Sequence, residues 1–302
     1  LAKWGSPPNN DGQFNYPSAL VEDSSGGIYV LDTNNHRVQK FSATGVFLSK
    51  WGTQGSGDGQ LWYPRGIAMD GSGNVYVVDN GNNRIQKFSS SGAFLAKWGS
   101  YGSGDGQFSN PQGIAVDSSG NIYVVDNGNN RVQKFSASGA FLAKWGSPPN
   151  NDGQFNYPSA LVEDSSGGIY VLDTNNHRVQ KFSATGAFLA KWGTQGTGDG
   201  QFWYPSGIAV DSSGNILVAG YDRVQKFSSA GAFVAKWGSW GSGDGQFQWP
   251  QGIAVDSSGN VYVVDNGNNR VQKFSSSGTF LAKWGTPGSG DGQFLWPRGI
   301  AV

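Results

Sequence analysis

The chain has 302 residues, with 21 Lys plus Arg balanced by 21 Asp plus Glu, so it has no net field to draw in nucleic acid or an anionic membrane. The absence of cysteine excludes disulfides and thiolate chemistry, and no apolar run approaches the ~20 residues that cross a bilayer. The 48 glycines suggest low complexity, but 12 Trp, 11 Tyr and 18 Phe are available to bury, and that excludes a disordered chain.

A Lys-Trp-Gly tripeptide recurs with Trp4, Trp51, Trp98, Trp145, Trp192, Trp237 and Trp284, at steps of 47, 47, 47, 47, 45 and 47 residues. Pro17, Pro64, Pro111, Pro158, Pro205, Pro250 and Pro297 keep the same steps. A period of this length with strand-like content marks a propeller or solenoid, whose units bury their faces only against neighbours. The first residues, Leu1-Ala2-Lys3-Trp4, fall in mid-repeat and lack Met. A processed product or a fragment is expected, so a missing signal segment excludes nothing. A chain without cysteine suits the cytosol and bacterial export alike; an extracellular or cell-surface bacterial location is the expectation.

In chain order the units span about 18–51, 65–98, 112–145, 159–192, 206–237 and 251–284, as one domain over 1–302 with overhangs 1–17 and 285–302. The second unit shows the pattern. Gly66–Asp70 is a short apolar run ended by the turn Gly71–Asn74. Val75–Asp79 follows, rich in β-formers, then Asn80–Asn83. Arg84–Phe88 is the third run, Ser89–Gly92 a turn, and Ala93–Trp98 the fourth. Four short strands separated by Gly, Asn and Ser make an antiparallel meander. Alternating apolar residues leave both faces needing cover, which stacked blades provide. The lysine in each fourth strand (Lys50, Lys97, Lys144, Lys191, Lys236, Lys283) guards an outer edge. The link from the fourth strand to the next unit is the longest and least uniform segment.

Pro111 to Asp126, followed by Asn129 to Phe135, resembles the NHL repeat, whose name-giving tripeptide region reads Asn35-His36-Arg37 and Asn176-His177-Arg178. The resemblance covers the chain and implies an all-β fold, a six-bladed β-propeller of four-stranded antiparallel blades. It also implies a family of RNA-binding modules, protein-interaction modules, extracellular sensor domains and a few metal-dependent lyases. Those lyases use clustered channel histidines, which this chain lacks. Fold analogy alone selects none of these functions.

Residues 1–45 recur unchanged as 142–186, so three units were copied as a block. The fifth unit departs: Leu217–Arg223 is two residues shorter than its counterparts. At the ends, Leu1–Trp4 reads as a spare fourth strand and Arg298–Val302 as a spare first strand. Six full units leave room for only one of the two sets, so a closed monomer is expected in which Leu1–Trp4 and Leu281–Trp284 compete for one outer position, with self-association through the overhangs as the alternative.

His36 and His177 are the only histidines and stand where other units carry Asn, so they read as turn residues. Asp32, Asp79, Asp126, Asp173 and Asp265 each precede an arginine by five residues, a spacing suited to pinning loop amides. Asp58, Asp105, Asp199, Asp244 and Asp291 lie in Asp-Gly turns that lack the oxygen count of a calcium loop. Glu22 and Glu163, the only glutamates, replace a hydrophobe in the first strand and are candidates for a cation or cationic ligand at a channel mouth. The remaining binding candidates are rings in the links: Trp62, Tyr63, Tyr101, Trp203, Tyr204, Trp240, Trp249 and Trp296. Tyr and Trp in clustered loops are favoured contact residues.

No catalytic triad, Walker, Rossmann or zinc-protease pattern occurs, and no catalytic residue, metal or cofactor is expected. The sequence reads as a non-enzymatic scaffold or protein-interaction module, with a protein or small ligand on its loop face. A lectin- or sensor-like domain holding glycan or peptide on the aromatic links is the alternative. An RNA-binding module is a third, opposed by the zero net charge.

Overall fold

A computed structural model describes residues 10–148 and 151–302 and divides the chain into two compact units, Leu1–Pro148 and Pro149–Val302. Each unit holds three four-stranded antiparallel sheets, every one a simple meander in sequence order. The chain is all-β, a six-bladed β-propeller by fold class. In the first unit the blades run from Pro17 to Trp51, Gly66 to Trp98 and Pro111 to Trp145. In the second they run from Pro158 to Trp192, Pro205 to Trp237 and Pro250 to Trp284.

The period-2 pattern accounts for the packing. In blade two, Val75 and Val77 point one way and join Tyr29 and Leu31 of blade one in a buried cluster. Tyr76 and Val78 point the other way and join Ile122 and Val124 of blade three. Alternate residues of a strand face opposite sides, so both faces of this sheet are core. The second unit repeats the arrangement. Ile216 and Val218 pack with Tyr170 and Leu172 of blade four, whereas Leu217 and Ala219 pack with Val261 and Val263 of blade six.

The fourth-strand tryptophans wedge between blades. Trp98 lies 6.3 Å from the Tyr76 ring of its own blade and 5.9 Å from Phe135 of the next. Its indole covers Gly139, where a Cβ would come within 2.6 Å of the ring while φ is +85°. Only glycine meets both demands. The fourth-strand lysines sit at the edge and pair with the Asp-Gly turns of their own incoming links, as Lys97 does with Asp58. Both partners are about half exposed, so the pair contributes little to stability.

Two features refine the sequence reading. In blades one to four the hairpin-sized connection between the second and third strands contains a single 3-10 turn, such as Asn80–Asn82. It closes on a left-handed residue, Asn83 at φ 51°. At the C-terminal end, Arg298–Val302 is not a strand. It lies along blade six, with the Arg298 carbonyl and Ile300 against Gly252, but among the described residues no second strand of its own blade is there to pair with it. Leu1–Trp4 lies outside the described residues.

Trp98→Ala is expected to destabilise the protein by about 3 kcal/mol, the low end for deleting a buried aromatic. The ring's outer edge is half-exposed and its buried indole N–H finds no acceptor, so removing it also relieves a desolvation cost. Chemical denaturation of wild type and variant measures the difference; a loss below about 1 kcal/mol would show that the wedge does not hold the blades.

Candidate functional site

The site is built on loops, and a buried clamp holds each loop in place. In blade two, Asp79 and Arg84 are cross-strand partners, 2.7 Å apart and fully or almost fully buried. Asp79 Oδ2 also accepts Asn82 Nδ2 at 2.9 Å and Gln86 Nε2 at 3.1 Å, and Oδ1 accepts the Trp62 N–H at 2.7 Å. The Arg84 guanidinium donates to the carbonyls of Ser56, Gly57 and Gln60, and Gln86 Oε1 accepts the Gly59 N–H. The fork geometry of arginine suits this multiple recognition. One ion pair thereby fixes the whole link that enters the blade. The same Nε–carboxylate bond recurs at 2.7 Å in Arg37–Asp32, Arg131–Asp126, Arg178–Asp173 and Arg270–Asp265.

With or without the carboxylate, each link delivers its last residue before the proline in a left-handed conformation. Tyr63 has φ 44°, Tyr204 φ 46°, Trp249 φ 50° and Trp296 φ 51°, with Asn110 the one small residue of the series in the first unit's third blade. Bulky residues in this region are strained, and a following proline disfavours helical backbone further. The strain is held by a hydrogen bond across blades. The Tyr63 N–H donates to His36 Nδ1 at 3.0 Å, Tyr204 N–H to His177 Nδ1 at 3.1 Å, and Asn110 N–H to Asn83 Oδ1 at 3.0 Å. The histidines are turn residues, as their Asn counterparts suggest, but turn residues with a specific acceptor role. Burial lowers the pKa of both; for His36 the carboxylates of Asp79 and Asp32 act in the opposite direction.

Blade five keeps the arginine and glutamine arms of the clamp but lacks its carboxylate. Gly220 occupies the place of the aspartate, and among the described residues Arg223 has no carboxylate partner and only backbone carbonyls as acceptors. The shortened turn puts Tyr221 in the left-handed position, at φ 52°. A tyrosine ring offers no acceptor there, so the Trp249 N–H goes to the Tyr221 carbonyl at 3.0 Å instead. The half-buried ring is left to pack among the link aromatics.

The result is a continuous aromatic platform in the second unit. Tyr221 stacks on Trp240 at 5.2 Å and 29°, and meets Trp249 edge-on at 5.1 Å. Trp240 and Trp249 are 5.6 Å apart and nearly perpendicular. Trp203 lies 6.5 Å from Tyr221 and 6.1 Å from Tyr204, whose ring rests against His177 at 4.9 Å. Trp203, Tyr204, Trp240 and Trp249 remain 38% to 50% exposed. Beside them opens a cavity of about 260 Å³ lined by Ser159, Thr174, Tyr204, Ser206, Tyr221, Trp249 and Gln251 with two prolines, and by no charged side chain.

Four of the sequence candidates therefore come together: Trp203, Tyr204, Trp240 and Trp249. Trp62 and Tyr63 form a smaller pair beside His36 in the first unit. Tyr101 is 75% exposed with no ring contact among the described residues, and Trp296 is 61% exposed. Glu22 is exposed at the end of its first strand in the first unit, and Glu163 is half-buried in the second. Tyr221 is a site residue that the sequence reading misses. Its signal is the two-residue deletion in the fifth unit, which reads as a defect until the ring's position is known. Among the described residues no three His, Cys, Asp or Glu side chains converge as metal ligands.

NHL repeat models match residues 14–41, 61–88, 108–135, 155–182 and 247–274, and a β-propeller repeat model matches 191–221, in the blade that departs. Among curated protein sequences none matches. Similar solved structures include a streptogramin B lyase at 15% identity, covering 94% of this chain and 86% of that one with a TM-score of 0.74. A catalytically inactive virginiamycin B lyase from Staphylococcus aureus with quinupristin is 14% identical over 92% and 86%, with a TM-score of 0.73. Kuenenia stuttgartiensis hydrazine synthase is 12% identical over 100% and 93%, also at 0.73. Likeness at these identities establishes the fold and transfers no residue.

The histidine contacts carry a pH dependence. A histidine whose folded pKa lies below its unfolded value near 6.5 contributes stability that is present above that value and lost as pH falls through the folded pKa. Thermal melts should therefore decline from pH 7 toward pH 5, and His36→Asn with His177→Asn, which keep an acceptor that does not titrate, should flatten that part of the decline. An unchanged slope in the double variant would show that the Nδ1 bonds do not govern it.

Proposed function

The chain belongs to the NHL-repeat β-propellers, and from that premise we propose that it is a non-enzymatic binding module whose ligand docks on the aromatic platform of blades four to six. The observation that carries this reading is the convergence of Trp203, Tyr204, Tyr221, Trp240 and Trp249, drawn from two links and one turn, with four of the rings left 38% to 50% exposed. Large rigid rings supply contact area with little loss of side-chain freedom, and they dominate binding energy where they cluster.

Several features support binding over catalysis. The chain has no cysteine, and both histidines accept backbone N–H groups at Nδ1, so the neutral ring carries its proton on Nε2 and has no nitrogen left to take one from a hydroxyl. The recurring strand-end carboxylates are engaged in clamps repeated from blade to blade. The neighbours named as lyases share the fold at 14–15% identity, too little to argue for a shared reaction. Zero net charge opposes an RNA-binding role, which needs a basic surface.

Glycan and peptide arrays probed with wild type, Trp240→Ala, Trp249→Ala and Tyr101→Ala test the site. Binding is expected to fall at least tenfold in the first two variants, in line with the loss of an aromatic anchor, and to persist in Tyr101→Ala. Equal binding by wild type and both platform variants would place the ligand elsewhere.

A further inference from the structure

The lining of the platform cavity specifies the chemistry of its occupant. We infer that the platform binds a neutral saccharide, one ring seated in the cavity beside Trp249 and the chain continuing over Tyr221 and Trp240; this rests on the binding reading above.

Three observations lead there. The first is electrical: the seven hydrogen-bonding or aromatic residues and two prolines around the cavity include no ionised group. A charged ligand would be desolvated with nothing to compensate it. The second is size. At about 260 Å³ the cavity falls below the ~300–1,000 Å³ of sites that enclose drug-sized molecules, and it suits a single pyranose ring.

The third is the direction of the available hydrogen bonds. Thr174 Oγ1 donates to the Pro205 carbonyl at 3.2 Å, and the Ser159 hydroxyl shares its proton with Thr174 at 2.7 Å. Ser206 Oγ donates to the Pro250 carbonyl. With their protons committed, the oxygens of Ser159 and Ser206 face a ligand as acceptors. Gln251, on the same wall, makes no side-chain hydrogen bond among the described residues and offers both an acceptor and two donors. A polyol supplies donors to these oxygens and takes donors from Gln251, while its C–H face lies on the tryptophan ring. A proline-rich segment also favours Tyr and Trp grooves, but its backbone has no N–H to give. The acceptor wall favours the saccharide.

The platform is also set before the ligand arrives. Tyr204, Tyr221 and Trp249 are all fixed at positive φ, and the N–H groups of Tyr204 and Trp249 are tied to blades four and five. Strain held by the surrounding fold in this way keeps the rings oriented and lowers the ordering cost of binding.

Tryptophan fluorescence titrations with maltotriose, cellotriose, tri-N-acetylchitotriose and mannotriose, and with decaproline, form the test on the intact chain. At least one trisaccharide is expected to give a saturable change that is insensitive to salt. That change should be lost in Trp249→Ala and weakened at least fivefold in Gln251→Ala, whose side chain holds nothing in the fold. Should Trp249→Ala fail to fold, Trp240→Ala is the substitute. Decaproline binding that depends on Trp249 and ignores Gln251 would overturn the saccharide assignment while keeping the platform as a binding site. Silence from all five probes would also overturn it. If array ligands then bound Trp240→Ala and Trp249→Ala as well as wild type, the platform reading would fail too.

Discussion

The buried Asp–Arg–Gln clamp is the constraint on which the loops depend. A blade of four short strands can bury its faces against its neighbours through hydrophobic alternation alone, but the link entering it is rich in Gly and Ser and has no such drive. In blade two a single carboxylate, Asp79, accepts four hydrogen bonds, and its arginine partner takes three carbonyls of the link. A buried ion pair of this kind need not raise net stability, because desolvation offsets its attraction. Its contribution is geometric: with its donors and acceptors paired, one conformation of the loop is selected.

Blade five displays the consequence of losing the clamp's carboxylate while Arg223 and Gln225 still hold the Gln201 carbonyl. The change from Asp to Gly at position 220 removes the acceptor that would fix the Trp203 N–H, and the shortened turn moves Tyr221 to the place held elsewhere by His or Asn. Because the Trp249 N–H can be satisfied by the Tyr221 carbonyl, the tyrosine ring is spared for contact with Trp203, Trp240 and Trp249. Trp203, Trp240 and Trp249 occupy link positions that vary between repeats. Their assembly into one platform is therefore a property of the one turn that breaks the repeat. Strain and lost local order at a functional site, supported by regular blades on both sides, follow the general pattern for binding surfaces on rigid scaffolds.

Much of this was legible in the sequence. The 47-residue period, the alternation in Val75–Asp79 and the Asp…Arg spacing specified blades, their two buried faces and the pinning role of Asp79. The link aromatics were recognisable as the variable positions. Tyr221 was not, because its role depends on a backbone carbonyl replacing a side-chain acceptor, and no local pattern encodes that exchange. The acceptor function of His36 and His177 was hidden for a similar reason, since it joins residues 27 positions apart across two blades. Arg298–Val302 carries strand-like residues, but a strand requires a partner as well as a propensity.

The claim that blade five lost the clamp's carboxylate to gain a platform is tested most directly by restoring it. Replacing Ala219–Asp222 with the six-residue turn Val-Asp-Asn-Gly-Asn-Asn, as blade three carries at Val125–Asn130, gives Arg223 a carboxylate and removes the Tyr221 ring. Ligand titration and amide hydrogen exchange of this one variant should show loss of binding together with slower exchange at the Trp203 N–H, which regains the carboxylate acceptor that Trp62 has in Asp79. Retained binding, or binding lost without added protection of Trp203, would contradict the account.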